Sequence, residues 1–105
     1  MIYSVLRRTL REGVTFDQFR EAWTPPEGLA HADFTVVHAA SLADGREILS
    51  IGVHDMSAED FAAFAGSEAF AEVNAARHDK IAPLVEEADG FLGAYEVLEG
   101  DHISL

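Results

Sequence analysis

Five histidines stand in a chain of 105 residues that has no cysteine. No two of them fall at HxH or HxxxH spacing, so the sequence holds no local metal motif. His38 and His54 are the pair with the most chemistry in them. They sit on two β-like runs joined through Asp44-Gly45, a hairpin signal of the type I′ kind. They are not directly opposite, but both fit on one face within a few residues of each other. His54 shares its parity with Ser50 and Gly52, while Leu49, Ile51 and Val53 take the other parity. With the aliphatic row packed on helices, His54 points into a cleft between the sheet and whatever covers its far side. A neutral imidazole there can act as a general base toward a phenol or an acidic C–H. Gly52 leaves space for a ligand and Ser50 lines the same face. The competing reading makes His54 an edge or interface residue bonded to backbone.

Arg7, Tyr3 and Tyr95 form a second constellation. Tyr3 and Arg7 have one parity on the first apolar run, and the run holding Tyr95 lies beside it in the fold derived below. Arg7 can hold an anionic or carbonyl oxygen; alternatively it pairs with Glu96, Glu47 or another surface acid. Tyr3 and Tyr95 read either as substrate contacts or as interface packing. His78 stands near a helix end, either exposed there or as a haem ligand. Phe16, Phe19 and Trp23 recur at i, i+3 and i+7, the spacing of a core stripe.

The elements that position these residues can be read in order. Ile2 to Leu10 is a strand, broken at Glu12-Gly13. Thr15 to Trp23 is a helix with capping-box spacing between Thr15 and Gln18, stopped by Pro25-Pro26. Asp33 to Leu42 and Glu47 to Asp55 are the hairpin strands. Ser57 caps a helical region that breaks at Gly66-Ser67 and resumes through Phe70, Val73, Arg77 and Ile81. Asp89-Gly90 ends it. Phe91 to Leu98 is the last strand, and 99–105 is a short tail. The order is βαββαβ, a single domain over 1–105 of the α+β, ferredoxin-like class: a four-stranded antiparallel sheet with helices on one face.

Composition narrows the partners. Seven basic residues against nineteen acidic ones give a formal charge of −12. Such a chain repels phosphate backbones and anionic membrane surfaces, so neither nucleic acid nor membrane is an expected partner. A neutral organic ligand suits it better. Without cysteine there is no disulfide, thiolate nucleophile or iron–sulfur cluster. No apolar run reaches 18 residues, and Arg7-Arg8 stand where a signal peptide would be apolar. A cytoplasmic location is the expectation.

The strands are apolar at both parities. Tyr3 and Val5 stand against Ile2 and Leu6; Phe91, Tyr95 and Val97 stand against Leu92, Ala94 and Leu98. Helices cover only one face, so the other would be a broad apolar patch, the mark of an interface. The expected assembly is a homodimer formed sheet to sheet.

With this order, the stretch Thr15-Phe16-Asp17-Gln18-Phe19-Arg20-Glu21-Ala22-Trp23 and the broken helix Phe61-Ala62-Ala63-Phe64-Ala65-Gly66-Ser67-Glu68-Ala69-Phe70 carry a resemblance. Over about residues 1–98 the chain resembles the dimeric α/β-barrel superfamily. Its first stretch is similar to EthD-like proteins, and its second to those and to antibiotic-biosynthesis monooxygenases. The resemblance implies a small-molecule enzyme: a cofactor-independent monooxygenase or isomerase acting on an aromatic or polyketide-like substrate. It equally admits a non-catalytic stress-response or ligand-binding dimer. In this reading His54, His38 and Arg7 are catalytic, Tyr3, Ser50, Gly52 and Tyr95 bind substrate, and no cofactor is needed. The sequence departs from EthD-like proteins after Trp23, where the next histidine is His31. It departs from haem-degrading members on the first strand, which has no asparagine.

Overall fold

A computed structural model describes residues 1–24, 34–87 and 90–98. The elements are β1 (Ile2–Thr9), α1 (Phe16–Trp23), β2 (Phe34–Ala40), β3 (Glu47–His54), α2 (Ala58–Ala65), α3 (Glu68–Ile81), a single 3-10 turn (Ala82–Leu84) and β4 (Phe91–Glu96). The strands form one sheet in the order β2-β3-β1-β4, with every pairing antiparallel. Sequence and structure agree on this α+β, ferredoxin-like arrangement.

Local chemistry explains the helix starts. Thr15 Oγ1 accepts from Gln18 N at 3.2 Å, and Gln18 Oε1 accepts from Thr15 N at 2.8 Å. This reciprocal box satisfies two orphan N–H groups of α1. Ser57 caps α2 through Asp60 N at 3.1 Å, and Ser67 caps α3 through Phe70 N at 3.2 Å. The break at Gly66-Ser67 thus makes two helices, because a fresh N-cap begins where the first helix ends.

The hairpin differs from a two-residue type I′ turn. Gly45 does not have positive φ; among the described residues only Gly13 and Gly93 do. β2 ends at Ala40, so the connection is longer, and side chains close it. Ser41 Oγ accepts from Ala43 N and Asp44 N, and Asp44 Oδ1 accepts from Arg46 N. Asx and Ser turns of this kind bind the loop N–H groups without left-handed backbone.

Register decides which side chains meet the helices. Across β1 and β3 the pairs are Ile2 with His54, Ser4 with Gly52, Leu6 with Ser50 and Arg8 with Ile48. On β3 the buried row is Ile48, Ser50, Gly52 and His54, and the alternating row is half-buried. Leu49, Ile51 and Val53 therefore face away from the helices, opposite to the orientation read from the sequence. A one-residue change of parity exchanges the two faces of a strand. Here the row with small side chains lies under the helices and admits their close approach.

The core is formed by Leu10, Phe19, Trp23, Ile48, Ile81 and Val85. Val85 bridges to Leu10 beyond the end of β1, which ties the segment after α3 to the sheet. The chain then enters β4 through Gly90, whose carbonyl accepts from Arg7 N at 2.8 Å. A Cβ at Gly90 would overlap the Arg7 carbonyl, so this approach requires glycine. On the other face Tyr3, Val37 and Tyr95 are exposed, and among the described residues no helix covers them. Among the described residues, no helix is long and apolar enough to cross a membrane.

Candidate functional site

The seven candidate residues divide between the two faces of the sheet. His38, Ser50, Gly52 and His54 lie on the helix side; Tyr3, Arg7 and Tyr95 lie on the open side.

His38 projects from β2 beneath α1. Its ring centroid is 6.0 Å from that of Phe16, 5.4 Å from Phe19 and 5.0 Å from Trp23, all edge-on. The i, i+3, i+7 stripe of α1 therefore makes an aromatic wall around one imidazole. Below the ring, His38 Nδ1 is 2.8 Å from Ser50 Oγ on β3. Ser50 is only 2% exposed. If Ser50 accepted this bond, its own hydroxyl hydrogen would lack an acceptor, at a cost of about 1–3 kcal/mol. The hydroxyl therefore donates to Nδ1, and the imidazole proton resides on Nε2. In this tautomer His38 presents a donor to its surroundings. Burial lowers its pKa below the usual histidine value, and the charges of Arg8, Arg77 and Arg20 push it the same way. It is neutral at pH 7.

His54 occupies a separate position on the same face. It stands four residues from Ser50 along β3, while His38 is directly opposite Ser50. At about 3.3 Å per residue the two histidines are roughly 13 Å apart. His54 Nε2 lies 3.1 Å from Ser4 Oγ, and its ring meets Phe61 at 4.9 Å and Phe64 at 6.2 Å. At 3% exposure it is packed between the sheet and α2. This corrects the orientation read from the sequence, which aimed His54 at a partner across the open face. The correction follows from the parity of β3.

On the open face Tyr3 and Tyr95 are direct cross-strand partners, as the shared parity predicts. Arg7 lies further along β1, opposite Leu49. It lines a shallow groove with Ala39, Ala40, Ser41, Glu47 and Leu49. Arg7 Nε is 3.6 Å from Glu47 Oε1. This is one of the salt bridges considered for it from sequence, and both side chains are solvated, so the pair contributes little stability.

The structure adds two residues that sequence reasoning did not select. Arg77 of α3 donates from Nε to the Trp23 carbonyl at 3.0 Å, and its guanidinium carbon lies 4.0 Å from the centre of the Trp23 ring. Burial and then the Arg8 charge lower its pKa. Arg8 is buried at 8% exposure on the helix side of β1. The signal was present in both patterns. Arg77 interrupts the apolar stripe Phe70, Val73, Ile81, and Arg8 continues the buried parity of Ile2, Ser4 and Leu6. A charge at an inward position is the exception that marks a site.

His78 is exposed in the last turn of α3. His31 and His102 lie outside the described residues. No cluster of three or more metal-ligating side chains occurs among the described residues.

No family model matches the sequence, and no curated protein matches it. Solved structures do match. One is named "Putative antibiotic biosynthesis monooxygenase from Nitrosomonas europaea"; it is 14% identical, with a TM-score of 0.62, over 93% of this chain and 99% of that one. A second, of the same description from Chloroflexus aurantiacus J-10-fl, is 18% identical, with a TM-score of 0.53, over 97% of both chains. The chain thus shares, over nearly its whole length, the ferredoxin-like fold of these monooxygenase-like structures.

Proposed function

We propose that the protein is a cytoplasmic, homodimeric small-molecule enzyme of the cofactor-independent monooxygenase or isomerase type, acting on an aromatic or polyketide-like substrate. The observation that carries this reading is the Ser50–His38 pair: a neutral, oriented imidazole set among three aromatic side chains. Its Nε2–H would donate to a substrate carbonyl oxygen and acidify the adjacent C–H. Enolisation is the shared first step of both reaction types. In the oxygenase the substrate's own methylene would supply the electrons: it takes up O2 and leaves as a carbonyl with release of one water. The carbon proton would pass to water, and His54, a separate buried imidazole on the same face, is the second candidate for proton handling. Arg7 serves the open-face groove, and Tyr3 and Tyr95 stand further along the same face as candidate substrate contacts.

Oxygen uptake and product formation with a panel of phenolic and anthrone-like ketones, without added metal or flavin, test this reading. Turnover should disappear in the double variant His38→Ala, His54→Ala. Turnover that survives overturns the assignment of these residues. The alternative is a non-catalytic ligand-binding or stress-response dimer, favoured by the dense packing of His54 against Phe61. Saturable binding with no turnover across the panel would select it.

The dimer is proposed on the open sheet face. Tyr3, Val37 and Tyr95 are exposed there, and Val5, Leu49, Ile51 and Val53 are half-buried between them. Burying such a surface at about 25 cal/mol per Å² favours pairing. Ile51→Glu should convert a dimeric scattering mass to a monomeric one, and a monomeric wild-type at micromolar concentration overturns the proposal.

A further inference from the structure

The open face of the sheet is built of three rows of side chains in register. The middle row is Val37, Ile51, Val5 and Gly93, running straight across the strands. On one side of it lie Ala39, Leu49 and Arg7; on the other lie Thr35, Val53, Tyr3 and Tyr95. The two flanks differ in relief. The Arg7 flank is hollowed by a groove of about 200 Å³, where Ala39 and Ala40 contribute only methyl groups. The other flank is raised by Tyr3 and Tyr95, exposed and directly opposed. Charge is uneven as well. Among the described residues of the four strands, Arg7 and Glu47 are the charged side chains on this face, and they pair with each other at 3.6 Å. The acidic excess of a chain at −12 therefore lies elsewhere. This locally neutral face is where a second, equally acidic copy can approach.

Two alignments keep the strands of two facing sheets close to parallel. A two-fold axis along the strands sets groove on groove and tyrosines on tyrosines. The hollow is then doubled and left unfilled, which forfeits dispersion contacts, and like ion pairs are enclosed against each other. A two-fold axis across the strands, over the middle row, sets each raised flank on the other copy's hollow, large against small. It also lays an aromatic ring on a guanidinium. We infer that a second copy docks in this second way, so that the partner's Tyr3 covers the Arg7 groove of each protomer. This rests on the sheet-to-sheet dimer proposed above and adds its register. Arg7 and Tyr3, about 13 Å apart along one β1 strand, thereby meet across the two-fold axis. The site that Arg7 lines is incomplete in a single chain.

A double-mutant cycle on the dimer dissociation constant, read by analytical ultracentrifugation, tests the inference. Within one chain Tyr3 and Arg7 are too far apart to couple, so the losses from Tyr3→Ala and Arg7→Ala add unless the two residues meet between copies. Contact across the interface predicts that the double variant loses less affinity than the two single losses combined, by about threefold or more. Strictly additive losses overturn it. Spin-label distances read the register without changing the face itself. The chain has no cysteine, so a label attaches only where one is introduced. Leu42→Cys lies beyond β2 at the groove end and Asp55→Cys beyond β3 at the tyrosine end, both at exposed positions. A Leu42→Cys label should lie nearer to an Asp55→Cys label on the other protomer than to its own counterpart there. The reverse order puts like ends together and overturns the register while the dimer stands. A monomeric mass with no dipolar coupling takes down dimer and register together.

Discussion

Ser50 on β3 and His38 on β2 stand directly opposite in register and join side chain to side chain at 2.8 Å on the buried side of the sheet. One hydroxyl thereby sets the protonation pattern of a ring that lies under α1. The Nε2–H tautomer should be visible in nitrogen-15 spectra of His38. Ser50→Ala should mix the tautomers and destabilise the fold by about 1 kcal/mol. A pure Nε2–H signal in that variant would show that something other than Ser50 sets the ring.

The lowered pKa of His38 has a signed consequence for stability. Burial is its largest cause, followed by Arg8, Arg77 and Arg20. Unfolded, the imidazole takes its proton below about pH 6.5, whereas folded it resists until a lower pH. The unfolded state therefore binds more protons in that interval, and stability is lost as pH falls through it. Urea midpoints should decline from pH 7 toward pH 5, and less steeply in His38→Gln. Equal slopes would remove His38 as the source.

Phe19 is fully buried, in contact with the core cluster and with His38. Phe19→Ala should cost about 3–5 kcal/mol by chemical denaturation. It should also disturb the imidazole of His38, since one wall of its recess is gone. A loss under 1 kcal/mol would mean the helix collapses freely onto the sheet.

Gly90 closes on the backbone of Arg7. Gly90→Ala places a methyl group on the Arg7 carbonyl, and the start of β4 must shift. We expect a loss of about 1–3 kcal/mol. Faster amide exchange at Arg7 should accompany it, while the β2–β3 hairpin stays protected. Unchanged exchange at Arg7 would contradict the close approach.

The order of elements was legible because each has a local signature. Thr15 with Gln18 announces α1, and Ser67 after Gly66 announces a second start within the helical region. Face assignment was not, because β3 has an aliphatic row and a mixed row, and either could be inward. Ile48 at the end of the mixed row, with Ser50 and Gly52 giving helices room, decides it only once the helices are in place. The hairpin misled for a related reason: Asp44-Gly45 is a type I′ pair only in a two-residue loop, and loop length depends on where β2 ends. The site was half legible. His38 and Ser50 were singled out, but their bond requires the β2–β3 register. Arg77 and Arg8 required knowing which positions face inward.

Burying Arg8 and half-burying Arg77 leaves the outer surface with few cations among many carboxylates. Seen from a distance, the molecule keeps its full formal charge of −12. Two copies approaching each other therefore meet as like-charged colloids, and added salt eases that encounter. Self-association should therefore strengthen as ionic strength rises, and scattering mass across a salt series reads it directly.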